Sequence, residues 1–183
     1  PQTKIVAEIN DEDPTLVAFF QGGARRFDGI DSGLDTMFDF PLYHAARRAF
    51  APGGAMNQLA RALAHDHLYV DPAHLVTFLG VHDMRRFMSS EGATVEKLKL
   101  AQTFLLTARG IPLIYYGDEI AMEGRGDPDN RRDFPGGFPG DARNAFEAAG
   151  RTPTENAVWA HVRHLTLLRR ELLPLRRGRH VTM

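Results

Sequence analysis

Four short apolar runs, alternating with longer segments that carry apolar side chains at helical spacing, constrain this chain more than any other feature. They cover residues 4–9, 34–40, 75–81 and 111–116, and the last two are rich in β-branched and aromatic residues. This alternation is the pattern of strands joined by crossover helices around a parallel sheet. Residues 41–51, 55–65 and 94–109 are the expected crossovers. A further helix should follow the last run, capped by Thr152 or Thr154, with Pro153 in its first turn. Val158, Val162, Leu165, Leu168 and Leu172 share one face of it, and Pro174 should end it. Two Gly- and Pro-rich loops, 21–33 and 123–140, exceed the usual connection length.

The 183 residues are 43% hydrophobic and 25% charged, enough for one core. No apolar stretch reaches the roughly 18 residues that span a membrane. The start Pro1-Gln2-Thr3-Lys4 lacks an initiator Met and the features of a leader, and the chain enters Ile5-Val6-Ala7 at once. A chain cut from a longer one is therefore expected. With 22 basic and 23 acidic residues the formal charge is −1, which disfavours nucleic acid as a partner. Arg169, Arg170, Arg176, Arg177 and Arg179 read as a solvated helix end complementing the macrodipole, rather than a phosphate patch. Without cysteine the chain has no disulfide, thiolate chemistry or Cys-type zinc site, and its compartment stays open.

Several runs end in carboxylates: Ile5-Val6-Ala7-Glu8, Phe78-Leu79-Gly80-Val81-His82-Asp83 and Ile114-Tyr115-Tyr116-Gly117-Asp118-Glu119. In a β/α barrel all strands point one way, so such ends converge on the mouth where active sites of that fold lie. Carboxylates brought together raise at least one pKa, letting one donate a proton while another stays anionic, as glycosidic cleavage requires. Taken singly, a strand-end acid reads as a helix cap or turn residue.

These motifs, with Gly110-Ile111-Pro112-Leu113 leading into the last, resemble strand-end motifs five, seven and eight of the α-amylase family, glycoside hydrolase family 13. The loop Gly126-Asp127-Pro128-Asp129-Asn130-Arg131-Arg132-Asp133-Phe134-Pro135-Gly136-Gly137 and the segment 27–35 resemble its cyclomaltodextrinase, neopullulanase and α-amylase branch. The resemblance implies an α/β fold, a partial TIM (β/α)8 barrel carrying roughly strands 5 to 8. Residues 1–178 would be this C-terminal half, and 179–183 the start of a truncated β domain. It implies that Glu8 is the general acid/base of a retaining mechanism and Asp83 the transition-state stabiliser, with His82 bonding ring hydroxyls. Asp127 and Arg131 match residues that contact sugars farther along the non-reducing side, although a loop-stabilising ion pair reads equally well. The implied substrate is an α-glucan or cyclodextrin with α-1,4 bonds. Relatives of this branch are often periplasmic or secreted.

The chain departs from that pattern at Val81, where Asn is usual, and at Ala7, where Gly is common; loss of the Asn amide is expected to weaken the hold on Asp83. The family nucleophile, an Asp on the fourth strand, has no place upstream of Glu8, and Asp28, Asp31, Asp35 and Asp39 do not fit its pattern. The isolated chain is therefore expected to be inactive, and exposed barrel edges to favour self-association. The alternative is a noncatalytic half-barrel that binds oligosaccharide or assembles with a complementary half; an unrelated α/β sugar-binding protein is a third reading. His65 with His67, and His161 with His164, lack a third metal ligand. Many relatives bind calcium, but no EF-hand spacing appears, so no cofactor is assigned. The paired glycines 22–23, 53–54 and 136–137 fit turns rather than a nucleotide site. Phe134 and Phe138 are candidates to stack on sugars; Phe27 is a weaker one, and Phe19 and Phe20 read as core.

Overall fold

A computed structural model of the chain describes residues 4–24, 28–178 and His180. Phe27 and most of 179–183, the expected β-domain start, lie outside the described residues. The chain divides into two compact units, one comprising Pro1–Phe78, Ala108–Leu113 and Leu173–Met183, the other Leu79–Thr107 and Ile114–Leu172.

The first unit holds all four described strands, each inside an expected apolar run but shorter than it. They are β1 (Val6–Ala7), β2 (Thr36–Met37), β3 (Val76–Phe78) and β4 (Ile111–Leu113). β1 pairs in parallel with β2, and β3 in parallel with β4. A parallel bridge from Phe38 to Val76 joins the two pairs. The strands thus run in chain order, β1-β2-β3-β4. Gly110, at φ 96°, makes the turn into β4; a Cβ there would stand 2.7 Å from Thr77 Cγ2 and 2.8 Å from the Leu75 carbonyl.

Helix α1 (Pro14–Phe19) was not expected from the sequence; Asp13 caps it by accepting from Thr15 N. Val17 and Ala18 on α1 join Met37, Tyr69 and Leu75 in a buried cluster, with Phe20 packed against it. Helix α2 (Phe40–Phe50) is capped by Asp39, whose carboxylate accepts from Leu42 N at 3.1 Å. It brings Phe40 and Tyr43 onto Phe78, the latter stacked at 4.9 Å. Helix α3 (Asn57–Leu63) runs into a 3₁₀ turn over Ala64–Leu68. There Asp66 meets Arg109, which also pairs with Asp39.

In the second unit, α4 (Val95–Thr107) packs on α5 (Pro153–Glu171). The buried apolar positions are Leu98, Ala101, Leu105 and Leu106 on α4, and Val158, Val162 and Leu165 on α5. Each fully buried Leu or Val contributes about 1.5–3 kcal/mol. Thr152, not Thr154, is the α5 cap, and it forms a reciprocal capping box with Glu155. Two expectations for this helix are corrected. The helix stops at Glu171, and Pro174 lies near the start of α6 (Leu173–Arg177), where its missing N–H and fixed φ are tolerated. Arg169 is buried rather than solvated, because its Nη1 donates to the Leu106 carbonyl at 2.9 Å.

Candidate active site

Beyond β3 the chain leaves the sheet through Leu79 and Gly80 and turns at Val81, where Met84 N donates to the Val81 carbonyl. Val81 is buried, and His82 and Asp83 project from the turn exposed. His82 Nε2 lies 3.2 Å from Asp83 Oδ1. Arg131 reaches the same oxygen with Nη2 at 2.9 Å, while its Nε lies 3.0 Å from Asp127 Oδ1 and 3.1 Å from the His82 carbonyl. The structure thus gathers His82, Asp83, Asp127 and Arg131 into one exposed cluster of alternating charge. A planar guanidinium shared between carboxylates is a directional donor, and such a cluster can exchange its internal bonds for those of sugar hydroxyls.

The support of this cluster is buried. Asn130, wholly enclosed, donates from Nδ2 to the His82 carbonyl at 2.6 Å and the Met84 carbonyl at 3.0 Å. The Arg86 side chain is also enclosed. Its Nε donates to the Asn130 carbonyl at 3.0 Å, and its Nη1 to the Tyr116 carbonyl at 2.6 Å and Asp118 Oδ1 at 3.3 Å. The guanidinium carbon stands 4.5 Å and 4.8 Å from the ring centres of Tyr115 and Tyr116. Burial, with the neighbouring Tyr116, pushes the Tyr115 hydroxyl up to about 12, so it stays protonated at neutral pH. Arg86 N bonds the Gly124 carbonyl, and Gly124 N bonds Ser89 Oγ. A Cβ on Gly124 would stand 2.6 Å from Asn130 Cα, so only glycine permits this approach.

Asp118 therefore departs from its reading as a strand-end acid at an open mouth: it is buried and neutralised by Arg86. In the first unit, Glu8 directly follows β1 and is exposed, with no ion pair among the described residues. Asp39 caps α2, and Asp35 pairs with Lys4, whose hydrogen bond holds its carboxyl below the ordinary range. His65 and His67 bond backbone carbonyls of their own helical turns, and His161 bonds Thr103 and the Lys99 carbonyl. Phe138 is exposed, and Phe134 packs on Phe146 at 4.5 Å. Among the described residues no three His, Asp or Glu side chains converge to hold a metal. No described helix is long and apolar enough to cross a membrane.

The model of the alpha amylase catalytic domain matches residues 3–164. The chain belongs to the α-amylase family. Among its α-amylase-family relatives is a cyclomaltodextrinase of Geobacillus thermopakistaniensis, 34% identical over 149 residues, 79% of this chain and 23% of the relative. A cyclomaltodextrin glucanotransferase of Bacillus sp. (strain 38-2) is 41% identical over 107 residues, 57% of this chain and 15% of the relative. The solved α-amylase of Geobacillus thermoleovorans, complexed with acarbose, superposes with a TM-score of 0.73 at 31% identity, covering 95% of this chain and 35% of that one. The chain spans less than a quarter of the length of these curated relatives and about a third of the solved amylase.

Within this α-amylase-family chain, Val81 was expected to leave Asp83 loosely held. The backbone around Asp83 receives three hydrogen bonds, two from Asn130 and one from Arg131. Asn130 and Arg86 were the residues that sequence reasoning missed, and Asp118, read as a strand-end acid, is the buried partner of Arg86. The only signal for Asn130 was its place inside the quoted Asp-Asn-Arg loop, and Arg86 carried none beyond following the His82-Asp83 pair.

Proposed function

We propose that this chain forms strands 5 to 8 of the barrel of a retaining enzyme acting on α-1,4 bonds of α-glucans or cyclodextrins, and that the nucleophile lies on a strand outside it. Glu8 protonates the leaving oxygen and later deprotonates the attacking water. Asp83 faces the sugar ring as positive charge develops, beside His82 as a donor to ring hydroxyls. Asp127 and Arg131 bind a sugar farther along the chain. The observation that carries this reading is the exposed Asp83–Arg131–Asp127 bridge with His82 beside it. It sets acceptors and donors where a hydroxyl-rich ligand can reach them. The named relatives, hydrolases and transferases alike, support the substrate class. Exposed Val6 on β1, Ile5 just before it and Ile111 on β4 favour assembly through the sheet edges, with a complementary half or a second copy.

The test uses the longer polypeptide carrying this chain, with maltodextrin as substrate. Glu8→Gln should lower kcat by about 10²–10⁴-fold. On an aryl maltoside whose leaving group needs no proton the loss in kcat/KM should be much smaller, while kcat stays low because water attack still lacks its base. Asp83→Asn should abolish turnover on both substrates. Wild-type rates in either variant would overturn the reading, as would release of reducing sugar by the purified 183-residue chain.

A further inference from the structure

We propose that Asn130 is a positioning residue for the reaction, fixing the turn that carries Asp83 from the loop that also carries Asp127 and Arg131; this rests on the role of Asp83 proposed above. Its two amide protons go to the carbonyls of His82 and Met84, the residues on either side of Asp83. Each carbonyl belongs to a peptide unit bordering or following Asp83, so one planar amide restrains the backbone around this residue. The restraint is itself held: the Asn130 carbonyl accepts from Arg86, and Gly124 lets the loop backbone close on Asn130. Val81, an apolar residue just before the pair, has no side-chain donor for this purpose. The task falls to a residue 47 positions beyond Asp83, and Arg131, its neighbour, adds a bond to the same His82 carbonyl.

Such a device also ties sugar binding to chemistry. Asn130 and Arg131 are adjacent, so a sugar that orders Asp127 and Arg131 orders the support of Asp83 with them. Displacing a reacting group by about 1 Å costs on the order of 10²-fold in rate. Removing Asn130 should therefore affect turnover more than ground-state binding.

The experiment is a set of single variants in the longer polypeptide, assayed on maltodextrin with unfolding followed in parallel. Asn130→Ala should lower kcat about 10²-fold with KM little changed. Asn156→Ala is the control, because Asn156 also bridges two carbonyls, those of Ala148 and Arg151, away from Asp83. It should lower the unfolding midpoint while leaving kcat near wild type. Gly124→Ala, which presses on Asn130 without altering its amide, should reduce kcat in the same sense and decides the matter if Asn130→Ala does not fold. Equal kcat losses in Asn130→Ala and Asn156→Ala, or wild-type kcat in Asn130→Ala, would overturn the inference. Asp83→Asn separates the two failures. If it leaves turnover intact, the proposed function itself falls; if it abolishes turnover while Asn130→Ala does not, only the positioning role falls.

Discussion

Two arginines in this chain each bridge two aspartates, and their surroundings give them opposite roles. Arg109 joins Asp39 and Asp66 with side-chain exposures of 5%, 1% and 20%, whereas Arg131 joins Asp83 and Asp127 at 45%, 50% and 62%. Burial alone would lower the pKa of Arg109, but the charges of Asp39 and Asp66 outweigh it and hold the guanidinium above its ordinary value. That triad ties the start of α2 to the turn after α3 and has no access to a ligand. The exposed triad can release its internal bonds to a ligand at little cost, because water already screens them. Composition is shared; solvent decides between structure and binding.

The buried triad is where this contrast should be largest. Replacing Arg109 by Met leaves the enclosed Asp39 carboxylate without a counter-charge, and breaking such a pair costs about 3–5 kcal/mol. Urea unfolding should show that loss. Adding Asp39→Asn, which keeps an acceptor for the Leu42 N–H, should recover part of it. If Arg109→Met unfolds like the wild type, the burial argument fails for this triad.

The strands were legible because short apolar runs bounded by Gly, Pro or charge leave few alternatives, and α2, α4 and α5 because their apolar spacing is sustained. Helix α1 was not, since six residues are too few to show a period and Asp13-Pro14 was its only mark. The exposed cluster of His82, Asp83, Asp127 and Arg131 was legible through motif resemblance. Its foundation was not, because Arg86 and Asn130, like Arg169 on α5, are polar types that ordinarily lie outside. Their burial depends on carbonyls distant in sequence: Arg86 needs Tyr116 and Asn130, Arg169 needs Leu106, and Asn130 needs His82 and Met84. A linear pattern does not encode such partners.

Arg131→Ala tests the other side of the contrast. Exposed ion pairs contribute about 0–1 kcal/mol, so the unfolding midpoint should scarcely move. A hydrogen bond from a charged donor to a ligand is worth about 1.5–3 kcal/mol, which is tenfold or more in affinity for maltooligosaccharides. Binding calorimetry beside urea unfolding reads both quantities. A variant that unfolds as easily as Arg109→Met would show that exposure does not separate the two triads.

The smallest effect should come from a pair of intermediate exposure, Arg143 with Glu155, at 39% and 15%. Burial raises the Glu155 pKa, but hydrogen bonds from Arg143 and the Thr152 amide outweigh it, and the carboxyl is held below its ordinary 4.5. A carboxyl with a lowered folded pKa binds its proton more readily in the unfolded chain. Its contribution is therefore full above pH 4.5 and is lost as the pH falls through the lower folded value. Glu155 is also the acidic partner of the capping box that opens α5, so its protonation should loosen the first turn of that helix before the rest. Arg143→Ala should reduce stability slightly at neutral pH and flatten the dependence of the unfolding midpoint as the pH falls below 4.5. Parallel pH curves for the variant and the wild type would mean that even this half-sheltered pair behaves like the open one at Arg131, placing the boundary between structural and solvent-screened ion pairs at deeper burial than Glu155 reaches.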